Sequence, residues 1–398
     1  MTKKALLTLF GGRSFLPAAL TLMHEKPEII VAISSKESHR DLHLLQRAID
    51  KYQKKHHFSC KLEAPEGIDA FDVAEIQRVC ENMVAQYPDM AWIFDVTAAT
   101  SLMTLAAYEA SKASSSRFET MTKCWYLNTA HTRVIPLVGE GCDEKIFNID
   151  VEDYAAAYGR DLVTGDLEDH RQYSEQHWLS FAQRLGKNPP LAALMKRVMS
   201  KITSRPGKEN PKLYTLKGLP AETYSLLEEV QQIGLASQLG RNSDSTLSFQ
   251  LSYTQDRFLN GAWLEAYIWD AARNIWDEER GKVLFDDCQW NQKVNDGNSK
   301  NELDVAVTYK AQLLIAECKT EENPFSSETL YKLDSVANIL GGRFTGRLLV
   351  TSISGKKPSE DFLAQAKSRR IVVVTGDDLP DIATIVKKEA IDPTFPRM

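Results

Sequence analysis

The chain has 398 residues, too many for one ordinary hydrophobic core, so two or three domains are expected. Its composition, 43% hydrophobic and 26% charged, is that of a folded globular protein, and no apolar run approaches the roughly 18 residues a membrane-spanning helix needs. A net charge of −6 argues against a dedicated nucleic-acid coat protein, whose phosphate contacts need a basic surface, but leaves room for an enzyme that meets a polyanion through a few local cations. Six cysteines, at 60, 80, 124, 142, 288 and 318, form no CxxC pair and keep no regular spacing, so neither a zinc module nor a disulfide framework is indicated and the cytoplasm is the expected compartment.

The opening "MTKKALLTLFGGRSF" reads as a buried first strand and not a signal peptide, because its apolar run stops at Phe10 and ends in Gly-Gly-Arg. Further strand-like runs follow at 28–33, 91–96, 123–128 and 133–138, with helix-periodic stretches between them. Such alternation predicts a mostly parallel sheet covered by helices over residues 1–150, with ligands beyond the carboxyl ends of its strands. Residues 151–250 read as a mainly helical, winged-helix-like connector. From 251 to 398 a helix, "GAWLEAYIWDAARNIW", precedes strands near 283–285, 303–309 and 312–318, a helix near 327–340 and strands "RLLVTS" and "IVVVTG". The fold class is therefore α/β at both ends.

The two runs "LDVAVTY" and "QLLIAEC" flank Lys310-Ala311. If that pair forms the turn, Asp304 lies opposite Glu317, and Lys319 projects from the same face as Glu317 while Cys318 points away. Two facing carboxylates repel, and a hard divalent cation, Mg2+ or Mn2+, resolves the conflict by taking oxygen from Asp304, Glu317 and the Cys318 carbonyl. Lys319 is then placed to orient an attacking water or help deprotonate it. The alternative is a solvated cross-strand pair with Lys319 in a surface ion pair. Apolar flanking residues on both strands favour the site. The D-x12-E-x-K spacing resembles the PD-(D/E)XK nuclease core, and Glu265 in "GAWLE" matches the helix carboxylate such cores often add. All eight histidines precede residue 178, so the C-terminal unit has none for histidine-based hydrolysis.

Near the N-terminus, two loops fall at predicted strand ends: Phe10, Gly11, Gly12, Arg13 and Ser14 in "FGGRS", and Thr97, Ala98, Ala99, Thr100 and Ser101 in "DVTAATSLM". The second opens a helix, whose free N–H groups suit an anion; an ordinary strand-to-helix turn is the plainer reading. "GGR" lacks the G-x-G-x-x-G of a nicotinamide site. Taken in order, "DVTAATSLM", "GAWLE", "NELDV", "ECKT" and "LYKLDSVANILGGRF" resemble the CARF-domain PD-(D/E)XK nucleases of type III CRISPR systems. Ala98 and Ala99 stand where that family commonly has glycines, and Ser101 where it has lysine, which weighs against self-cleavage of the ligand.

The resemblance implies a Rossmann-like CARF sensor, a connector and a restriction-endonuclease-like domain, arranged as a homodimer sharing one cyclic tetraadenylate. It further implies activation by that ligand and metal-dependent cleavage of RNA or DNA, single strands favoured, with little sequence preference. Two other readings stay open: a ligand-sensing transcription regulator with a degenerate nuclease domain, and a nuclease that needs no activator.

Overall fold

The structure, a computed structural model, describes residues 3–11, 15–117, 122–129, 133–139, 148–165, 171–208, 210–241, 246–295 and 300–396. The early apolar runs pair as anticipated. β1 (Lys4–Phe10), α1 (Leu16–Glu25), β2 (Ile29–Ser34), α2 (Leu42–His56), β3 (Lys61–Glu63), α3 (Val73–Gln86), β4 (Ala91–Asp95), α4 (Ser101–Arg117), β5 (Thr122–Asn128) and β6 (Arg133–Val138) build a six-stranded sheet in the order β3-β2-β1-β4-β5-β6. All neighbours are parallel except β5 and β6. Helices cover both faces, so β1 and β2 are buried along nearly their whole length and read as unbroken apolar runs, not alternating ones. β3 is short and half-exposed, which is why hydropathy gave no sign of it. The strand order turns back between β1 and β4, so the carboxyl ends of those two strands bound the crevice where ligands of such sheets sit.

Next come α5 (Val151–Ala156), β7 (Asp161–Thr164), α6 (Gln176–Lys187), α7 (Pro189–Ser200), β8 (Lys212–Leu216), α8 (Glu222–Gln232), β9 (Ser237–Arg241) and β10 (Leu247–Leu251). The last three strands form an antiparallel sheet in the order β8-β10-β9, and β10 alternates buried and half-buried positions as a one-sided strand should. β7 leaves this region altogether. It pairs antiparallel with β13 (Asp287–Asn295) at the edge of the C-terminal sheet, so a short segment expected in the connector completes the sheet beyond it.

The C-terminal unit holds α9 (Tyr253–Arg257), a π turn over Phe258–Ala262, α10 (Trp263–Arg273), the small hairpin β11 (Trp276–Asp277) and β12 (Lys282–Val283), then β13, β14 (Lys300–Tyr309), β15 (Gln312–Lys319), α11 (Ser327–Ile339), β16 (Thr345–Thr351), α12 (Glu360–Ser368), β17 (Ile371–Val374) and α13 (Ile382–Ile391). The sheet order is β17-β16-β15-β14-β13-β7, antiparallel across the hairpins and parallel from β15 to β17. One face buries Val305, Val307, Leu314 and Ala316 against α10 and the connector helices. On the other, Ala306, Leu313 and Ile315 join Leu330 and Leu333 of α11 in an apolar cluster that continues into Leu6, Phe10 and Ile30 of the first sheet.

The two sheets are therefore fused through one core. Directional contacts fix the seam: Gln312 Nε2 donates to the Thr129 carbonyl at 2.9 Å, Tyr52 OH to the Asp153 carbonyl at 2.9 Å, and the Val151 N–H to the Asp287 carboxylate at 3.1 Å.

Candidate active site

The hairpin that carries the acidic residues closes through Lys310 and Ala311, with φ of 46° and 61°. Both lie in the left-handed region that a two-residue type I′ turn demands. For side-chain-bearing residues this conformation costs about 1–2 kcal/mol each, and the burial of both strands holds the turn closed. The register runs from Val305 opposite Ala316 to Tyr309 opposite Gln312, as the turn position predicts.

Past Val305 the backbone ladder stops. There the Cys318 N–H donates to Asp304 Oδ2 at 2.6 Å, so a carboxylate takes the place of a strand carbonyl and is locked at the fork between β14 and β15. Asp304 is 7% and Glu317 3% exposed. Burial, reinforced by the charge of Glu317, pushes the Asp304 carboxyl up to about 7. Glu317 Oε1 lies 2.8 Å from Lys319 Nζ, which confirms that these side chains share a face. Burial alone would lower the Lys319 ammonium, but the charge and hydrogen bond of Glu317 outweigh it and raise it above its ordinary value.

Glu265 enters from the other layer, in the first turn of α10. Burial and then the charge of Asp304 hold its carboxyl well above the usual carboxylate range, so the three acids share one electrostatic environment. The Cys318 side chain belongs to the face opposite Glu317, partly buried against the α10 layer, and its thiol is pushed far up by burial and by Asp304. A π turn introduces α10, and its Asn260 carbonyl accepts from Thr320 Oγ1 at 2.9 Å, tying the helix of Glu265 to the residue after Lys319. Insertions of this kind gather at functional sites.

Lys332, within "LYKLDSVANILGGRF", adds a contact that the hairpin pattern does not imply. Its Nζ reaches across from α11 to the same Glu317 Oε1, at 2.7 Å. Only a lysine at some helix position downstream was visible, and nothing in its spacing tied it to the hairpin.

The donor set suits a hard divalent cation. Asp304 and Glu317 are buried carboxylates, the first raised by burial and by the charge of the second, and Mg2+ commonly takes one or two carboxylates and completes its shell with water and phosphate oxygen. Among the described residues, no three His, Cys, Asp or Glu side chains are grouped to hold a metal by themselves. The two hairpin carboxylates would therefore act with a backbone oxygen, water and substrate.

At the N-terminal crevice the structure brings the two predicted loops together. The Gly11 N–H donates to the Ala98 carbonyl at 2.9 Å, and a β-carbon on Gly11 would sit 3.1 Å from Ala99 Cα and 3.2 Å from the Ala98 oxygen, so a side chain there would press the two loops apart by a few tenths of an ångström. Phe10 is 1% exposed, so its side chain serves the core. The Thr97 hydroxyl donates to Asp95 Oδ1 at 2.5 Å and accepts from the Leu127 N–H at 2.9 Å, and so holds the loop.

Asp95, at the end of β4, is fully buried and is pushed up to about 6 by burial, against the two hydrogen bonds from Thr97. Thr100 caps α4 by accepting from the Met103 N–H at 3.3 Å. Ser101 is exposed in the first turn of α4. Gly12, Arg13 and Ser14 lie outside the described residues.

A buried acidic pair with a lysine at its rim thus lies on a hairpin fork inside a mixed sheet. Residues 252–391 match the family model of the Card1-like endonuclease domain, so the C-terminal unit is similar to such a domain. Among solved structures, protein VC1899 from Vibrio cholerae superposes with a TM-score of 0.74 at 20% identity, over 96% of this chain and 97% of that one. Can2 from Sulfobacillus thermosulfidooxidans, solved in complex with cyclic tetra-adenylate, gives 0.68 at 18% identity over 97% of both chains. A type III CRISPR defence DNA nuclease activated by cyclic oligoadenylate gives 0.55 at 14% identity; all of this chain covers 53% of that one. The shared fold thus extends over both sheets and the connector. No curated protein matches the sequence.

Proposed function

We propose that this protein is a cyclic-oligoadenylate-activated, metal-dependent nuclease of type III CRISPR defence, cleaving phosphodiesters of RNA or DNA with little sequence preference. The carrying observation is the convergence of Asp304, Glu317 and Lys319 at one hairpin fork, with Glu265 facing them from α10. The fold shared with Can2, whose structure holds cyclic tetra-adenylate, and with a cyclic-oligoadenylate-activated DNA nuclease supports cyclic tetraadenylate as the activator.

In this reading Asp304 and Glu317 hold Mg2+ or Mn2+, with the Cys318 carbonyl completing the protein's share. When bound, the cation polarises the phosphoryl oxygen and lowers the pKa of water. The chain's own groups do the rest. Lys319 keeps its proton, since its ammonium lies above the ordinary value, so it orients water and offsets developing negative charge. The Cys318 N–H fixes the rotamer of Asp304, and Glu265 adds an acceptor on the far side of the cluster.

The sensor crevice, closed by the bond between Gly11 and Ala98, offers the N-terminal turn of α4 to a phosphate ring. Leu102, Leu105, Tyr126, Ile135 and Leu137 are exposed apolar residues of α4, β5 and β6, and we assign them to a homodimer interface on which a two-fold ring can sit.

The test is incubation with Mg2+ or Mn2+, with and without cyclic tetraadenylate, on labelled single-stranded and duplex RNA and DNA. Cleavage that depends on both metal and ring is expected. Tight duplex binding without cleavage of any substrate would select the regulator, and cleavage indifferent to the ring would select a nuclease without an activator.

A further inference from the structure

We infer that Lys332 is the cation that receives the substrate strand at the mouth of the active site, an inference that rests on the nuclease reading above. Glu317 Oε1 accepts from two ammonium groups, Lys319 Nζ at 2.8 Å and Lys332 Nζ at 2.7 Å. Lys319 comes from the same strand two residues on, and its side chain is 24% exposed. Lys332 stands on α11, whose Thr329, Leu330, Leu333, Val336 and Ala337 are buried against the sheet, and its own side chain is 41% exposed. The helix is fixed at its start by Ser326, which accepts from the Thr329 N–H. Lys332 is therefore anchored at its base, and its partly exposed side chain brings the ammonium onto the outer side of a carboxylate only 3% exposed.

One carboxylate oxygen does not need two cations, and an ordinary structural ion pair at this depth would already be satisfied by Lys319. When Glu317 turns to other partners, Lys332 is released with its charge intact next to the entering strand, where a phosphate oxygen is the natural replacement acceptor. Lys319 and Lys332 then divide the work. The first stays at the reacting phosphate, and the second holds the strand and contributes to affinity, not to the chemical step.

The experiment compares wild type with Lys332→Ala, Lys332→Gln and Lys332→Arg on a short labelled single strand. Cleavage is followed in Mg2+ and binding in Ca2+, each over a range of salt. Alanine and glutamine should raise KM about tenfold, the scale of one charge-assisted hydrogen bond, with kcat nearly unchanged. The same two variants should flatten the slope of log affinity against log salt by about 0.7, the loss of one phosphate contact on a single strand. Arginine should restore both. A loss confined to kcat, or an unchanged KM and salt slope in both neutral variants, overturns the assignment while leaving the nuclease reading intact. If wild type cleaves nothing, the nuclease reading fails instead, and the binding slopes still decide whether Lys332 touches phosphate.

Discussion

The two sites of this protein are built from opposite materials. The hairpin site is made of ionisable side chains forced into the interior: Asp304 and Glu317 buried, Glu265 raised by its neighbours, two lysines on one oxygen. The sensor crevice is made of backbone, small residues and hydroxyls, and a buried carboxyl, Asp95, lies beneath the loop. A site that must gather a cation and stabilise charge in a reaction has to bear the cost of burying carboxylates. A site that only recognises a ring of phosphates can use N–H groups already freed by a strand end and a helix start. What joins them is a shared core and a seam of hydrogen bonds, with Gln312 at the foot of the hairpin reaching Thr129 at the end of the sensor strand β5.

That contrast is best broken by mutation. The largest effect is expected at the hairpin: Glu317→Ala or Lys319→Ala should lower cleavage about a thousandfold, the scale of losing one electrostatic partner of the transition state, while cyclic tetraadenylate binding measured by calorimetry stays as in wild type. Retained cleavage in both variants would overturn the site. Chelation with EDTA should abolish cleavage as completely, and added Mn2+ or Mg2+ should restore it; activity that survives exhaustive chelation removes the metal from the account.

The sensor side should give a smaller and different response. Thr97→Ala removes the hydroxyl that bridges Asp95 and the Leu127 N–H, so half-maximal activation should need about tenfold more ring, whereas Thr97→Ser should behave as wild type. A normal dose response for the alanine variant would show that this bridge does not support the site.

The smallest effect concerns stability. Asp95 is raised from 3.8 to about 6, so its folded state binds a proton more tightly than its unfolded state. Its burial therefore costs more as pH rises through that window and is fully unfavourable above 6. Thermal melts of Asp95→Asn against wild type should show the variant gaining about 1–2 kcal/mol, relative to wild type, on going from pH 5 to pH 7. A pH-independent difference would mean that Asp95 is not held as the geometry indicates.

Much of this was legible beforehand. The first sheet could be read because strands buried on both faces must be apolar throughout. The hairpin register could be read because side chains alternate with period two, so fixing the turn at Lys310-Ala311 fixes every pair behind it. Glu265 stands out in the sequence by its match to the helix carboxylate of PD-(D/E)XK cores, but its approach to Asp304 depends on how that helix crosses the sheet. β7 and Lys332 were not legible. A four-residue strand pairs wherever an edge is free, and Asp161–Thr164 joins β13, far along the chain from it. Thr97 was read correctly as a loop residue, but its partners, Asp95 and Leu127, come from two different strands.

By itself, then, the sequence determined the local periods: which runs are strands, which are helices, and which acidic positions interrupt apolar strands on one face. Those follow from covalent geometry and the aversion of apolar groups to water, and both act within a few residues. Only the tertiary structure decided which groups from distant elements meet: Glu265 and Lys332 around Glu317, Gly11 against Ala98, and the sensor strand against the hairpin. Such meetings depend on how helices and sheets pack, and packing answers to the whole core at once, not to any short stretch of chain.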